Sequence, residues 1–204
     1  MSEFTAAHHA AIAQLTGPGA PFEVIEATRD SYAVKSYRNA EPNLCAVMAP
    51  GRQFGDTLFI EYLDQAWTFA QFFDAVDALA GYLQHACGIA AGDRVAIAMR
   101  NRPEWLIAFV AIMECGGVAV PLNSWGKAAE LQQGLEDSAA QVVICDEARF
   151  GFIRDTGLSV TTLLVDSAQA GEADHDWSVA LGAGMQHTPL AAAPDDPAIL
   201  LFTS

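Results

Sequence analysis

The residues with the strongest claim to ligand chemistry lie at the end of the 204-residue chain. There the apolar run Ala198-Ile199-Leu200-Leu201-Phe202 leads into Thr203-Ser204. Hydroxyl and backbone N–H groups just beyond the carboxyl end of a parallel strand are where open α/β sheets hold their ligands. Thr203 and Ser204 stand where such a loop would begin. Other reactive types are present but badly spaced. His8-His9, His85, His175 and His187 give neither H-x-x-x-H nor H-E-x-x-H. Asp174-His175-Asp176 reads as a solvated loop rather than a metal site. Gly182-Ala183-Gly184 has no third glycine at Gln186 or His187 and no strand leading in, so it is discounted as a dinucleotide loop. No G-x-S-x-G nucleophile elbow occurs. Asp74 and Asp77 fall on the helix side away from the apolar stripe, which is the pattern of a solvated face. Ser124-Trp125-Gly126 follows a strand end, and the sequence offers its indole no partner. No catalytic residue and no metal ligand is assigned.

Cys45, Cys87, Cys115 and Cys145 lie far apart without a C-x-x-C, so they read as reduced, buried thiols of a cytoplasmic protein. Acids outnumber bases 25 to 10, a formal charge of −15. That sign repels a nucleic-acid backbone and an anionic membrane surface. The fifty residues after Arg154 carry seven acids and no Lys or Arg. The greasiest region, Trp105 to Leu122, is broken by Glu114 and two glycines and is no membrane span. The N-terminus lacks the basic flank and apolar stretch of a signal peptide.

The elements that must position any site are legible from Thr57 onward. Residues 1–56 read as a lead-in segment with short helices near Ala6–Leu15 and Pro42–Ala49. Residues 57–204 read as one α/β domain. A strand at Thr57–Leu63 and a short one at Ala66–Thr68 come first. Thr68 and Gln71 have capping-box spacing. Phe72, Val76, Leu79, Ala80 and Leu83 form one apolar stripe, and Gly88 ends that helix. Arg94–Met99 is a strand. Asn101 and Glu104 repeat the cap spacing, with Pro103 in the first turn of the helix Glu104–Cys115. Val118–Leu122 is a strand whose Pro121 suggests an edge or a strand end. Then come a helix at Ala128–Ser138, a strand at Gln141–Cys145, a helix at Glu147–Arg154, a strand at Val160–Val165, a loop over 166–197 and a last strand at Ala198–Phe202. Alternating apolar strands and helices predict a mostly parallel sheet with helices on both faces.

Several of these segments resemble one family in order and spacing. Ala198 to Ser204 is similar to the lead-in of the phosphate loop Thr-Ser-Gly-Ser/Thr-Thr-Gly-x-Pro-Lys-Gly of the acyl-CoA synthetases and other adenylate-forming enzymes, and this resemblance makes Thr203 and Ser204 the candidate cofactor-binding residues. Trp67-Thr68-Phe69-Ala70-Gln71-Phe72 resembles that family's first short motif. Met113 to Asn123 resembles its second, leucine-lysine-alanine-glycine-x-x-x-valine-proline-leucine/isoleucine-asparagine/aspartate. The stretch GDRVAIAMRNRPEW between them resembles its strand–turn–helix, and Gly17 to Glu23 resembles bacterial fatty-acyl members.

The resemblance implies the incomplete N-terminal domain of the adenylate-forming fold and a two-step reaction. A carboxylate, with a fatty acid favoured, attacks the α-phosphate of Mg-ATP. Coenzyme A then displaces AMP. ATP, Mg²⁺ and coenzyme A are thus the full-length family's cofactors. The later motifs that bind them are not in these 204 residues, and Lys35 and Lys127 stand in no phosphate-loop context. The chain is expected to end as a fragment, to bind none of these cofactors well, to be inactive alone and to fold marginally. The alternative is a small non-catalytic α/β binding or interaction module.

Overall fold

A computed structural model describes residues 3–29, 31–166, 171–190 and 192–202. It divides into two compact units, residues 1–42 and 43–204. The first holds helix α1 (Glu3–Thr16) and an antiparallel hairpin, β1 (Val24–Arg29) with β2 (Tyr32–Tyr37). The sequence pattern did not announce that hairpin. Its turn passes through Ser31 at φ 73°, a conformation no local Asn-Gly or Asp-Gly signal advertises.

The second unit begins with α2 (Leu44–Met48), which Asn43 caps by accepting the N–H of Ala46 at 2.9 Å. A 3-10 helix spans Ala49–Phe54. Phe54 packs on Phe69 at 5.0 Å between ring centroids, and the guanidinium of Arg52 lies 4.4 Å over the Phe73 ring. The stretch 43–56 thus packs on the helix that carries Phe69 and Phe73, within the unit of residues 43–204. An antiparallel pair comes next, β3 (Leu58–Tyr62) and β4 (Gln65–Thr68).

Helix α3 (Phe69–His85) starts with both halves of the expected capping box. Thr68 Oγ1 accepts the Gln71 N–H, and Gln71 Oε1 accepts the Thr68 N–H. Its stripe of Phe72, Val76, Leu79, Ala80 and Leu83 is buried.

The main sheet is parallel with strand order β6-β5-β7-β8-β9. Its members are β5 (Arg94–Ala98), β6 (Val118–Pro121), β7 (Val142–Cys145), β8 (Thr161–Leu164) and β9 (His175–Asp176). Period-two alternation sends neighbouring side chains to opposite faces. Val95, Ile97, Val142, Ile144 and Leu163 join one core with α3, α4 (Pro103–Glu114) and α7 (Trp177–Gly182). Ala96, Ala98, Val143, Cys145 and Leu164 join a second core with α5 (Ala128–Ser138) and α6 (Glu147–Arg154). The parallel sheet with helices on both faces is therefore the observed architecture.

Three local readings are corrected. The N-cap of α4 is Arg102, without a side-chain cap bond, because Glu104 is held by the Arg102 guanidinium instead. The stretch 166–197 is not all loop. Asp174 Oδ2 accepts from both the backbone N and the hydroxyl of Thr162, which docks β9 beside β8, and Asp176 caps α7. The strand expected at Ala198–Phe202 shrinks to one parallel bridge, Ile199 on Ala119. Two backbone bonds hold it, Ala119 N to Ala198 O and Leu200 N to Ala119 O, both 2.9 Å. Leu201 stays largely exposed. Pro121, as expected, closes β6.

Candidate functional site

Strand β5 is flanked by β6 on one side and β7 on the other. The helix after β5, α4, lies on one face of the sheet, and the helix after β7, α6, lies on the other. The loops leaving the carboxyl ends of β5 and β7 therefore part company. Such a switch point opens the crevice in which α/β sheets bind ligands.

The side chains at that crevice are charged and interlocked. Asp146, the buried N-cap of α6, accepts the Arg149 N–H at 3.0 Å through Oδ1. Through Oδ2 it accepts the Arg100 backbone N–H, also at 3.0 Å, and Nη1 of Arg149 at 3.1 Å. Arg149 also donates Nη2 to the Ser124 carbonyl in the β6–α5 turn. The Arg100 guanidinium sits 3.1 Å from the centroid of the Trp125 ring. A cation over an indole face is drawn by the ring quadrupole. Nη1 of Arg100 and Nε of Arg149 are buried with no hydrogen-bond partner. One guanidinium thus pairs with the carboxylate and the other lies on the indole, and each keeps one buried nitrogen without a hydrogen-bond partner.

Beside them Arg102 bridges Glu104 at 2.7 Å and Asp166 at 2.8 Å. Burial works against its charge, but the hydrogen bonds and charges of those two carboxylates outweigh it and hold the guanidinium protonated. The second oxygen of Asp166 accepts the Glu147 N–H at 3.0 Å.

Two grooves open at the same edge. One of about 460 Å³ runs between Ile60 and Tyr62 of β3 and Pro103, Trp105 and Leu106 of α4, with Arg102 at its rim. The other, of about 550 Å³, lies at the end of β6 between Leu122, Asn123, Gly134 and Phe202. Asn123 is fixed there by its amide on Glu130 at 2.7 Å.

The expected cofactor residues Thr203 and Ser204 lie outside the described residues. Phe202 before them is described, at the second groove. The other sequence candidates have structural duties. His175 Nδ1 is 2.9 Å from the Tyr82 hydroxyl. Asp77 is not simply solvated, because it takes both Nη atoms of Arg52 at 2.6 and 2.8 Å. Trp125, left without a partner by the sequence, has one in Arg100. Among the described residues no three His, Cys, Asp or Glu groups are gathered as metal ligands. Sequence reasoning passed over Arg100, Arg102, Asp146 and Arg149. The signal that finds them is a charged residue within a few positions of the carboxyl end of an apolar strand.

The fold class that this sheet and its switch point define is found in solved structures. Coronafacic acid ligase from Pectobacterium brasiliense superposes with a TM-score of 0.72 at 18% identity, over 78% of this chain and 33% of that one. The N-terminal subdomain of Klebsiella oxytoca NpsA does so with a TM-score of 0.64 at 23% identity, over 81% of this chain and 39% of that one. The architecture is thus that of the N-terminal subdomain of adenylate-forming enzymes.

The family model described as AMP-binding enzyme matches residues 48–204, and the chain belongs to that family. The 2-succinylbenzoate--CoA ligase of Bacillus velezensis is 34% identical over 138 residues, 67% of this chain and 26% of that protein. A Mycobacterium tuberculosis ligase, 3-[(3aS,4S,7aS)-7a-methyl-1,5-dioxo-octahydro-1H-inden-4-yl]propanoyl:CoA ligase, is 31% identical over 163 residues, 75% of this chain and 32% of that protein. The chain spans about a quarter to a third of the length of these curated relatives.

Proposed function

We propose that these residues are the N-terminal portion of an ATP-dependent acyl-CoA synthetase. In that reaction a carboxylate oxygen bonds to the α-phosphorus of ATP and the bond to pyrophosphate breaks. The thiolate of coenzyme A then bonds to the acyl carbon, and AMP leaves. The acid is a fatty acid in this reading, on the likeness of residues 17–23 to bacterial fatty-acyl members. One relative, from Mycobacterium tuberculosis, is a medium/long-chain-fatty-acid--CoA ligase, 26% identical over 152 residues. The compartment proposed is the cytoplasm, in keeping with four free cysteines.

The observation that carries the reading is the course of residues 198–202. They run parallel to β6, bridged at Ala119, toward the edge where β5 and β7 present Arg100 and Asp146. Thr203 and Ser204 come next in the chain and open the phosphate loop in this proposal. The unused donors of Arg100 and Arg149 would meet an anionic part of ATP or coenzyme A. No step through magnesium is derived from these residues. Asp146 and Asp166 are committed to backbone N–H groups and guanidinium groups.

The 204 residues alone are proposed to be inactive. Two charge-assisted hydrogen bonds contribute about 1.5–3 kcal/mol each, while a micromolar site needs about 8 kcal/mol. Isothermal titration of Mg-ATP into this chain should give a dissociation constant weaker than about 1 mM. A chain extended through a Gly-Thr-Thr-Gly-x-Pro-Lys-Gly loop and the rest of the ligase should bind ATP more tightly. With coenzyme A and fatty acids it should release pyrophosphate in proportion to acyl-CoA formed. Tight ATP binding by the 204 residues, or an extended enzyme that forms no acyl-CoA with any carboxylic acid, would overturn the proposal.

A further inference from the structure

At the far ends of α3 and α4, away from the switch point, residues 184–190 lie across both helices. Gln84 grips Thr188 twice, donating Nε2 to its carbonyl at 2.9 Å and accepting its N–H at 2.8 Å. His85 Nε2 is 2.9 Å from the Gln186 carbonyl. The Leu190 N–H reaches the Glu114 carbonyl at 3.5 Å. Between these clips sits His187, with only 12% of its side chain exposed.

The imidazole faces charge from three elements. Nδ1 is 3.9 Å from Asp77 on α3, and Nε2 is 3.8 Å from Glu114 on α4. Arg52, on the 3-10 helix, pairs with Asp77 at 2.6 Å and reaches Glu114 at 3.5 Å. Cys45 on α2 lines the same pocket, and its thiol is pushed up to about 11 by burial and then by the charge of Glu114, so it stays neutral. With a neutral imidazole the pocket holds one guanidinium and two carboxylates, a net charge of −1. His187 Nε2 is then buried without a hydrogen-bond partner. A protonated imidazole brings the sum to zero and places an N–H opposite each carboxylate. The strap around it carries no other ionisable group from Gly184 to Leu190.

We propose that residues 184–190 form a proton-gated strap, locked onto α3 and α4 when His187 is protonated and loosened when it is not. The geometry puts both counter-charges within small movements of ion-pair contact, and each sits on a different helix. Proton uptake therefore ties the two helices together through the strap. Ordinary imidazoles change charge between pH 5 and 8, the span in which such a device can respond.

The test is amide hydrogen exchange at Thr188 and Leu190 in the whole chain, at pH 5.5 and pH 8.0. Rates are divided by the intrinsic rate at the same pH. Protection at pH 5.5 should exceed that at pH 8.0 by about twofold to fivefold, the scale of partly exposed ion pairs. His187→Gln should bring that ratio to about one, and His85→Gln should keep it. Should His187→Gln fail to fold, Glu114→Gln is read instead, and the ratio must fall. A ratio near one in the unaltered chain overturns the proposal. So does a ratio that survives His187→Gln or Glu114→Gln, or one lost only in His85→Gln.

Discussion

Asp146 accepts the backbone N–H of Arg100 at 3.0 Å while its other oxygen accepts the N–H of Arg149 at 3.0 Å. One buried carboxylate thus ties the end of β5 to the start of α6 across the crevice where the helices after β5 and β7 part to opposite faces of the sheet. It also pairs with the guanidinium of Arg149 at 3.1 Å.

Replacing that carboxylate should cost more than an ordinary helix cap. Asp146→Ala removes the cap, worth about 1 kcal/mol, and strands buried donors of Arg100 and Arg149 at about 1–3 kcal/mol. Urea denaturation should show a loss of about 2–4 kcal/mol. Asp146→Asn, which can still accept at the cap, should lose clearly less. Equal losses in the two variants would mean that the cap and the Arg100 bond contribute little.

Two helical glycines should respond with opposite signs to the same change. A Cβ at Gly81 would lie 2.2 Å from the carbonyl oxygen of Met185, a backbone atom rather than the end of a flexible side chain. Gly81→Ala should destabilise by about 1–3 kcal/mol. That is about 3–10 °C in melting temperature for a chain of this size. A Cβ at Gly151 in α6 meets nothing within 4 Å, so Gly151→Ala should stabilise by about 0.5–1 kcal/mol. Differential scanning calorimetry of the two variants checks both signs.

The four thiols should be slow to alkylate in the native protein. Burial pushes Cys87 up to about 11 and Cys115 up to about 12. Burial, then Glu114, puts Cys45 at about 11. Cys145 is raised by burial and then by Asp146 and Asp166. At pH 8 a thiol near 11 is about one part in a thousand thiolate, against about a quarter for an ordinary one. Maleimide labelling followed by peptide mapping should find Cys45 and Cys87 about a hundredfold slower than in urea, and Cys115 and Cys145 slower still. Rapid native labelling of Cys115 would contradict its burial.

Acid should release the last strand and helix through Asp174 and Asp176. The Thr162 N–H, helped by its hydroxyl and by His175, holds the Asp174 carboxyl below the usual range against some burial. The Ser178 hydroxyl, then the Val179 and Ser178 N–H groups, do the same for Asp176. A folded value below the unfolded one means the stabilisation is complete above about pH 4 and is lost as pH falls through the folded value. Urea midpoints measured from pH 6 to pH 2.5 should fall below about pH 4, and Asp174→Ala should flatten part of that slope. A slope unchanged in Asp174→Ala would remove this carboxylate from the acid response.

The sequence by itself determined the elements whose signals are local. The capping box at Thr68 and Gln71, the five-residue stripe of α3 and the apolar runs of β5 and β7 all depend on residues within a turn or a strand of one another. Because those runs are apolar almost throughout, they already required a sheet covered on both faces. Motif order and spacing carried the resemblance to the adenylate-forming enzymes, and the family match from residue 48 agrees with it.

Tertiary structure alone decided the rest, because its causes lie far apart in the chain. β9 and α7 arise from a stretch rich in Ala, Gly and Asp. They are held by Thr162 twelve residues back and by Tyr82, ninety-three residues from His175. The run Ala198–Phe202 has every local mark of a strand, yet among the described residues only Ala119 pairs with it, in one bridge. The charged cluster of Arg100, Asp146 and Arg149 was invisible for the same reason. Asp146 and Arg149 stand together at the start of α6, whereas Arg100 follows β5 forty-six residues earlier, and only the side-by-side pairing of β5 with β7 brings the two places together. Local free energies select helix or strand within a few residues, whereas a site at a switch point exists only once strands distant in sequence have chosen their neighbours.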